Sequence, residues 1–157
     1  MNGLSREESI TFAQKYLEDL LSFFGLNTEV HATADEDVIE LHVPSTHLNG
    51  FLIGVRGETL RSLQFMIATT LKNKNAELNR VNVDIADYKK HRYDRLAEQS
   101  REWIEAVRNS GEPRHLEPMN AAERRIVHKA VTEYSDIETH SEGEGRDRHV
   151  VLSKKAE

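Results

Sequence analysis

Gly54-Val55-Arg56-Gly57 sets two glycines three positions apart between two apolar segments of helical period. Glycine has no Cβ, so the chain can turn tightly there and another backbone can come close. A second helix starting at Gly57 would aim unpaired N–H groups and a positive dipole end outward, and phosphate is the natural ligand of such an end. Arg56 adds a charged donor inside the turn, while Val55 beside it adds none. Glu58 suits the dipole but would repel a phosphate that shared its side. The Lys-Ser/Thr of a Walker loop does not follow, and the spacing is not GxGxxG, which speaks against ATP and NAD. A plain tight turn between helices has the same spacing.

A second constellation lies in Arg124-Arg125-Ile126-Val127-His128. At ~100° per residue, Ile126, Val127, Ala130 and Tyr134 share one arc, and Arg124, Arg125, His128 and Lys129 fall opposite. Arg124 and His128 are i,i+4 neighbours and can touch one ligand together. Arginine brings a planar donor fork for phosphate or a face for a base, and histidine a small ring with a switchable charge. Arg148, entering the last strand after a glycine turn, is a further candidate for a phosphate contact. A solvated charged face would use the same residues.

Other chemistry is thinner. His140 and His149 flank an acidic glycine turn and could approach each other across it. No H-x-x-x-H or H-E-x-x-H spacing occurs, so these histidines are read as solvated, and neither metal nor cofactor is expected. Glu142 and Glu144 read as a soluble loop. No carboxylate cluster with metal spacing and no Ser-His-Asp order stands out, so no enzyme is expected. Trp103 and Tyr93 fall on the apolar side of a helix and read as core. Lys89, Lys90, Arg92 and Arg95 extend a basic surface or, given Asp87, Asp94 and Glu98 among them, simply solvate the helix.

The elements that must position these residues follow from period and punctuation. Ser5-Arg6-Glu7-Glu8 is a capping box, and Ile10, Ala13, Leu17, Leu21 and Phe24 predict a helix over about 6–24, stopped by Gly25. Alternation over 28–34 and 39–43 around Asp35-Glu36-Asp37 predicts a hairpin. A two-turn helix around Leu48–Leu52 runs into the glycine turn. A helix carrying Leu60, Leu63, Ile67 and Leu71 and a strand over 81–85 follow. Beyond these come a helix over about 88–109, a short segment over 114–118 and a helix over about 121–134 capped by Asn120. Strands over 137–141 and 148–152 close the chain. The boundary between two small α+β domains falls near 86–89.

The 157 residues include no Cys, which removes disulfides, thiol catalysis and Cys-ligated zinc and fits a reducing compartment. Apolar runs are far shorter than a membrane span, and the polar start MNGLSREES has no apolar signal region. The net charge of −6 is uneven: residues 1–43 carry nine acidic and two basic side chains, and the rest 18 and 19. A polyanion should therefore meet the later part of the chain, with a modest electrostatic grip.

The run from Gly50 to Leu60, GFLIGVRGETL, resembles the signature of K-homology (KH) domains, and the α-β-β-α-α-β order resembles their bacterial type II form. In such domains the GxxG loop clamps single-stranded nucleotides. The string Pro118 to His128, PMNAAERRIVH, with Thr139 to Gly145 and Arg148 to Leu152 behind it, resembles the small domain family named for its Arg-x-x-x-His motif. Arg124 and His128 are the matching positions. The two in this order resemble the Jag family of bacterial proteins over nearly the whole chain.

That resemblance implies a type II KH domain over 1–87 and an Arg-x-x-x-His domain over 88–157, and a cytoplasmic, non-catalytic protein that binds single-stranded RNA, with single-stranded DNA as the alternative. Ile53, Gly54, Val55, Arg56 and Gly57 would hold the backbone, an apolar groove beside Ile53 and strand 39–43 would accept bases, and Arg124, Arg125, His128 and Arg148 would grip a neighbouring stretch. The resemblance also implies post-transcriptional control linked to cell elongation and division, and a small KH-domain protein as partner. Longer family members carry a further N-terminal domain, whereas the KH helix is expected at the very start of this chain. The rival expectation is an interaction scaffold whose acidic N-terminal surface binds protein.

Overall fold

The computed structural model describes residues 3–157; Met1 and Asn2, the first residues of the polar start, lie outside them. The protein is mixed α+β and divides into two units, Met1–Lys89 and Lys90–Glu157, each with its own apolar core. Among the described residues no helix is long and apolar enough to cross a membrane.

In the first unit, Ser5 opens α1 (Arg6–Phe23) with the expected box. Its hydroxyl accepts the Glu8 amide, and the Glu8 carboxylate accepts the Ser5 amide. Ala13, Leu17 and Leu21, one turn apart, form the buried stripe of this helix. β1 (His31–Ala34) and β2 (Val38–Val43) make an antiparallel hairpin, closed by the Asp35 carboxylate on the amides of Asp37 and Val38. The alternation from 28 to 30 stays outside the strand.

α2 (Asn49–Ile53), a 3-10 turn over Val55–Gly57, α3 (Glu58–Asn73) and β3 (Arg80–Ile85) follow. β3 lies parallel to β2, with Val38 opposite Arg80 and Val43 opposite Ile85, so β2 is the central strand. Ile39, Leu41, Val43, Val81, Val83 and Ile85 are buried in one core with Leu60, Ile67 and Leu71 of α3. Each such side chain contributes ~1.5–3 kcal/mol on leaving water. Glu40, His42, Asn82 and Asp84 alternate with them and lie on the other, half-exposed face.

The second unit takes most of α4 (Tyr88–Ser110), then β4 (Arg114–His115), α5 (Ala121–Val131), β5 (Ile137–Glu142) and β6 (His149–Lys154). The strands form an antiparallel sheet in the order β4-β6-β5. Leu96, Ile104 and Val107 of α4 meet Val127 and Val131 of α5 and Ile137, Val150 and Leu152 of the sheet. Trp103 packs against this core half-buried. A second capping box, Asn120 with Glu123, starts α5. α5 ends at Val131, three residues before the apolar pattern does, because the Tyr134 amide turns back onto the Val131 carbonyl. β6 starts at His149, which leaves Arg148 in the preceding turn.

Candidate functional site

At the glycine turn, Gly54 has φ +72° and Gly57 φ +74°, in the left-handed region that side chains rarely adopt. A Cβ on Gly54 would stand 2.3 Å from the Thr59 hydroxyl oxygen, so both backbone angle and space demand glycine there. α3 begins at Glu58, one residue later than its sequence suggests. The Gly57 amide donates to the Gly54 carbonyl (3.3 Å) and the Glu58 amide to the Val55 carbonyl. Gly57 is buried, with the Tyr88 ring close to its Cα. The expectation that Gly57 offers a free amide is therefore corrected: the turn uses that donor internally.

What faces water is Val55, 75% exposed, and Arg56. Arg61, which the sequence reading did not single out, donates from Nη1 to the Arg56 carbonyl (2.8 Å) and brings a second guanidinium to the turn. Its spacing of five from Arg56, one turn into α3, is the signal that could have found it. Ile53 and Gly54 are half-buried.

The expected apolar groove along strand 39–43 is not formed. Ile39, Leu41 and Val43 are sealed in the core, and β2 is central, so it offers neither apolar side chains nor a free edge. Exposed apolar surface comes instead from Phe51 beside the turn, whose ring meets that of Phe24 edge to face at 5.1 Å.

In the second unit, Arg124 and His128 do lie on one side of α5, but neither is a free surface residue. Arg124 donates to the Met119 carbonyl (2.7 Å). His128 is half-buried against β5, with Nδ1 2.6 Å from the Thr139 hydroxyl and Nε2 3.2 Å from that of Ser141. Burial first, then the Arg124 and His140 charges, pull its pKa below the usual histidine value, so the ring is neutral at pH 7. Arg125 and Lys129 are exposed on the same helix. Arg148 donates to the Gly143 carbonyl (2.8 Å) and closes the β5–β6 turn, a holding role rather than an outward one.

Arg92 belongs to neither alternative expected of it: its Nε pairs with the buried Glu123 carboxylate at 3.0 Å. A groove of about 310 Å³ lies beside this pair, lined by Gln99, Trp103, Arg114, His115 and Met119. Thus one edge of Trp103 borders a cavity as well as the core.

Residues 94–154, which include Arg124 and His128, match the domain family named for its Arg-x-x-x-His motif. Three relatives align over most of the chain. The chain is 30% identical over 152 residues to the RNA-binding protein KhpB of Clostridium symbiosum, covering 97% of this chain and 67% of the relative. It is 28% identical over 150 residues to the RNA-binding protein KhpB of Bacillus subtilis strain 168, covering 94% and 72%. It is 26% identical over 149 residues to that of Streptococcus pneumoniae D39, covering 92% and 43%.

Proposed function

Since the chain belongs to the KhpB, or Jag, family of RNA-binding proteins, we propose that it binds single-stranded RNA, without catalysis, through two contacts. In the first, residues 1–87 act as a type II KH domain. The Gly54–Gly57 turn holds the sugar-phosphate track, with Val55 and Arg56 outward and Arg61 adding charge. In the second, residues 88–157 act as the Arg-x-x-x-His domain, in which Arg125 and the exposed part of Arg124 meet phosphate. Neutral His128, clasped by Thr139 and Ser141, sets the face of α5. Arg148 shapes the neighbouring turn, and single-stranded DNA is the alternative strand. The proposal extends, with the family, to post-transcriptional control linked to cell elongation and division in the cytoplasm.

The observation that carries the RNA reading is the tip of the glycine turn, where the backbone is strained open and the exposed residues are Val55 and Arg56. Val55→Asp with Arg56→Asp adds repulsion there without touching the core. RNA affinity, read by fluorescence anisotropy with a labelled single strand, should fall about tenfold or more, equivalent to ~1.4 kcal/mol, with the melting temperature unchanged. Unaltered affinity in the folded variant would refute the role of the turn.

A second reading, a protein-interaction scaffold, is favoured by one observation. Phe23, Phe51 and Phe65 of the first unit are all more than half exposed, which suits an apolar partner surface such as a small KH-domain protein. Partner capture that survives both nuclease and the turn variant would support it.

A further inference from the structure

The side of the second unit's sheet that faces away from α5 gathers three histidines and a glutamate. Thr139 and Ser141 turn toward His128, so the alternating His140 and Glu142 turn the other way. Glu142 stands opposite His149, and His140 and His115 flank Val151 from the two neighbouring strands. The sequence connected His149 with His140; the sheet order instead sets it against His115, 34 residues away.

The hydrogen bonds define the protons. His149 Nδ1 lies 2.9 Å from the Asp147 carbonyl oxygen, which can only accept, so that nitrogen carries the ring proton and Nε2 keeps its lone pair. This Nε2 is 3.1 Å from His115 Nδ1, and Glu142 Oε2 is 3.8 Å from the same atom. Two electron-pair donors thus converge on one imidazole nitrogen that has a single proton for both. The other Glu142 oxygen accepts from His140 Nε2 at 2.8 Å, which holds the carboxylate ionised.

We propose that His115 Nδ1, His149 Nε2 and Glu142 Oε2 bind a divalent transition-metal ion of the zinc class, with a fourth position left to water. The ion replaces the shared proton, and the His115 proton moves to its other ring nitrogen. The three ligand atoms lie within 4.8 Å of one another, against an edge of ~3.3 Å in a tetrahedral site with bonds of ~2.0–2.1 Å. Small side-chain rotations close that gap. The Asp147 carbonyl behind His149 and the His140 ring behind Glu142 are the outer-shell partners that orient metal ligands. Two imidazoles and one carboxylate favour Zn²⁺, Co²⁺ or Ni²⁺ over Mg²⁺ or Ca²⁺. The group His42, Asp84 and Asp87 is less suited, because Asp84 already accepts the amides of Ile85 and Lys89. The proposed site lies on the opposite face of the sheet from His128 and does not depend on the RNA reading.

The test uses the untagged full chain, stripped with EDTA and titrated with ZnCl₂ by calorimetry and with CoCl₂ by visible absorption. One ion per chain and a tetrahedral Co²⁺ band are expected. His115→Ala, His149→Ala and Glu142→Gln should each weaken binding about tenfold or more, and His140→Ala, an outer-shell change, by ~10-fold. His31→Ala, an exposed histidine of the first unit, should change nothing. Zn²⁺ should also raise the melting temperature of the parent chain but not of the His115→Ala variant. Circular dichroism identifies the folded variants, and His115→Ala with Glu142→Gln carries the test if His149→Ala misfolds. Equal Zn²⁺ binding in the folded His115→Ala, Glu142→Gln double variant, competition by Mg²⁺ at equal concentration, or no binding at about 1 mM Zn²⁺ would overturn the proposal.

Discussion

Arg56 holds φ +54°, a left-handed conformation that costs a residue with a side chain ~1–2 kcal/mol. Glycine would relieve that strain, partly offset by ~0.4–1 kcal/mol of added freedom in the unfolded chain. Arg56→Gly should therefore leave stability unchanged or raise it by ~0–1 kcal/mol in thermal melts, while RNA affinity in anisotropy falls several-fold. A variant that lost stability and affinity together would mean that the guanidinium acts structurally. At this scale the sequence spoke clearly where backbone alone decides: Gly54 and Gly57 are required by φ whatever surrounds them. It was silent on Thr139, Ser141 and the His115–His149 pair, because these contacts depend on strand register, which side-chain types do not announce.

Among the elements, α5 depends on one side chain for two purposes. Glu123 is 5% exposed, accepts the Asn120 amide in the capping box and pairs with Arg92 of α4. Glu123→Ala removes the cap and strands a partly buried guanidinium, for a combined loss of ~2–4 kcal/mol in urea denaturation. Arg92→Ala in the same background should add less than it does alone, since the pair is already broken. Both capping boxes could be read from Ser5-x-x-Glu8 and Asn120-x-x-Glu123, because a cap is settled among four neighbours in the chain. The end of α5 could not. Tyr134 continues the apolar stripe and packs against the core, yet it does so from a turn rather than from helix.

For the whole chain, the two proposed contacts share one strand, and covalent linkage raises the effective concentration of the second once the first is made. RNA of ~20 nucleotides should bind more tightly than RNA of ~6, and Arg124→Ala with His128→Ala should erase most of that difference. With few phosphates engaged and a net charge of −6, the slope of log affinity on log salt should lie near −1.5 to −3, about −0.7 per phosphate. The uneven charge was visible in the sequence, but the parallel pairing in the first sheet was not. A strand pattern shows which face is apolar and leaves the neighbour unnamed. That pairing has a consequence for synthesis. Residues 38–43 receive their second partner only from residues 80–85. A nascent chain stalled before Ile85 leaves the ribosome with a bare strand edge, and such a fragment is a seed for clumping rather than a smaller working module.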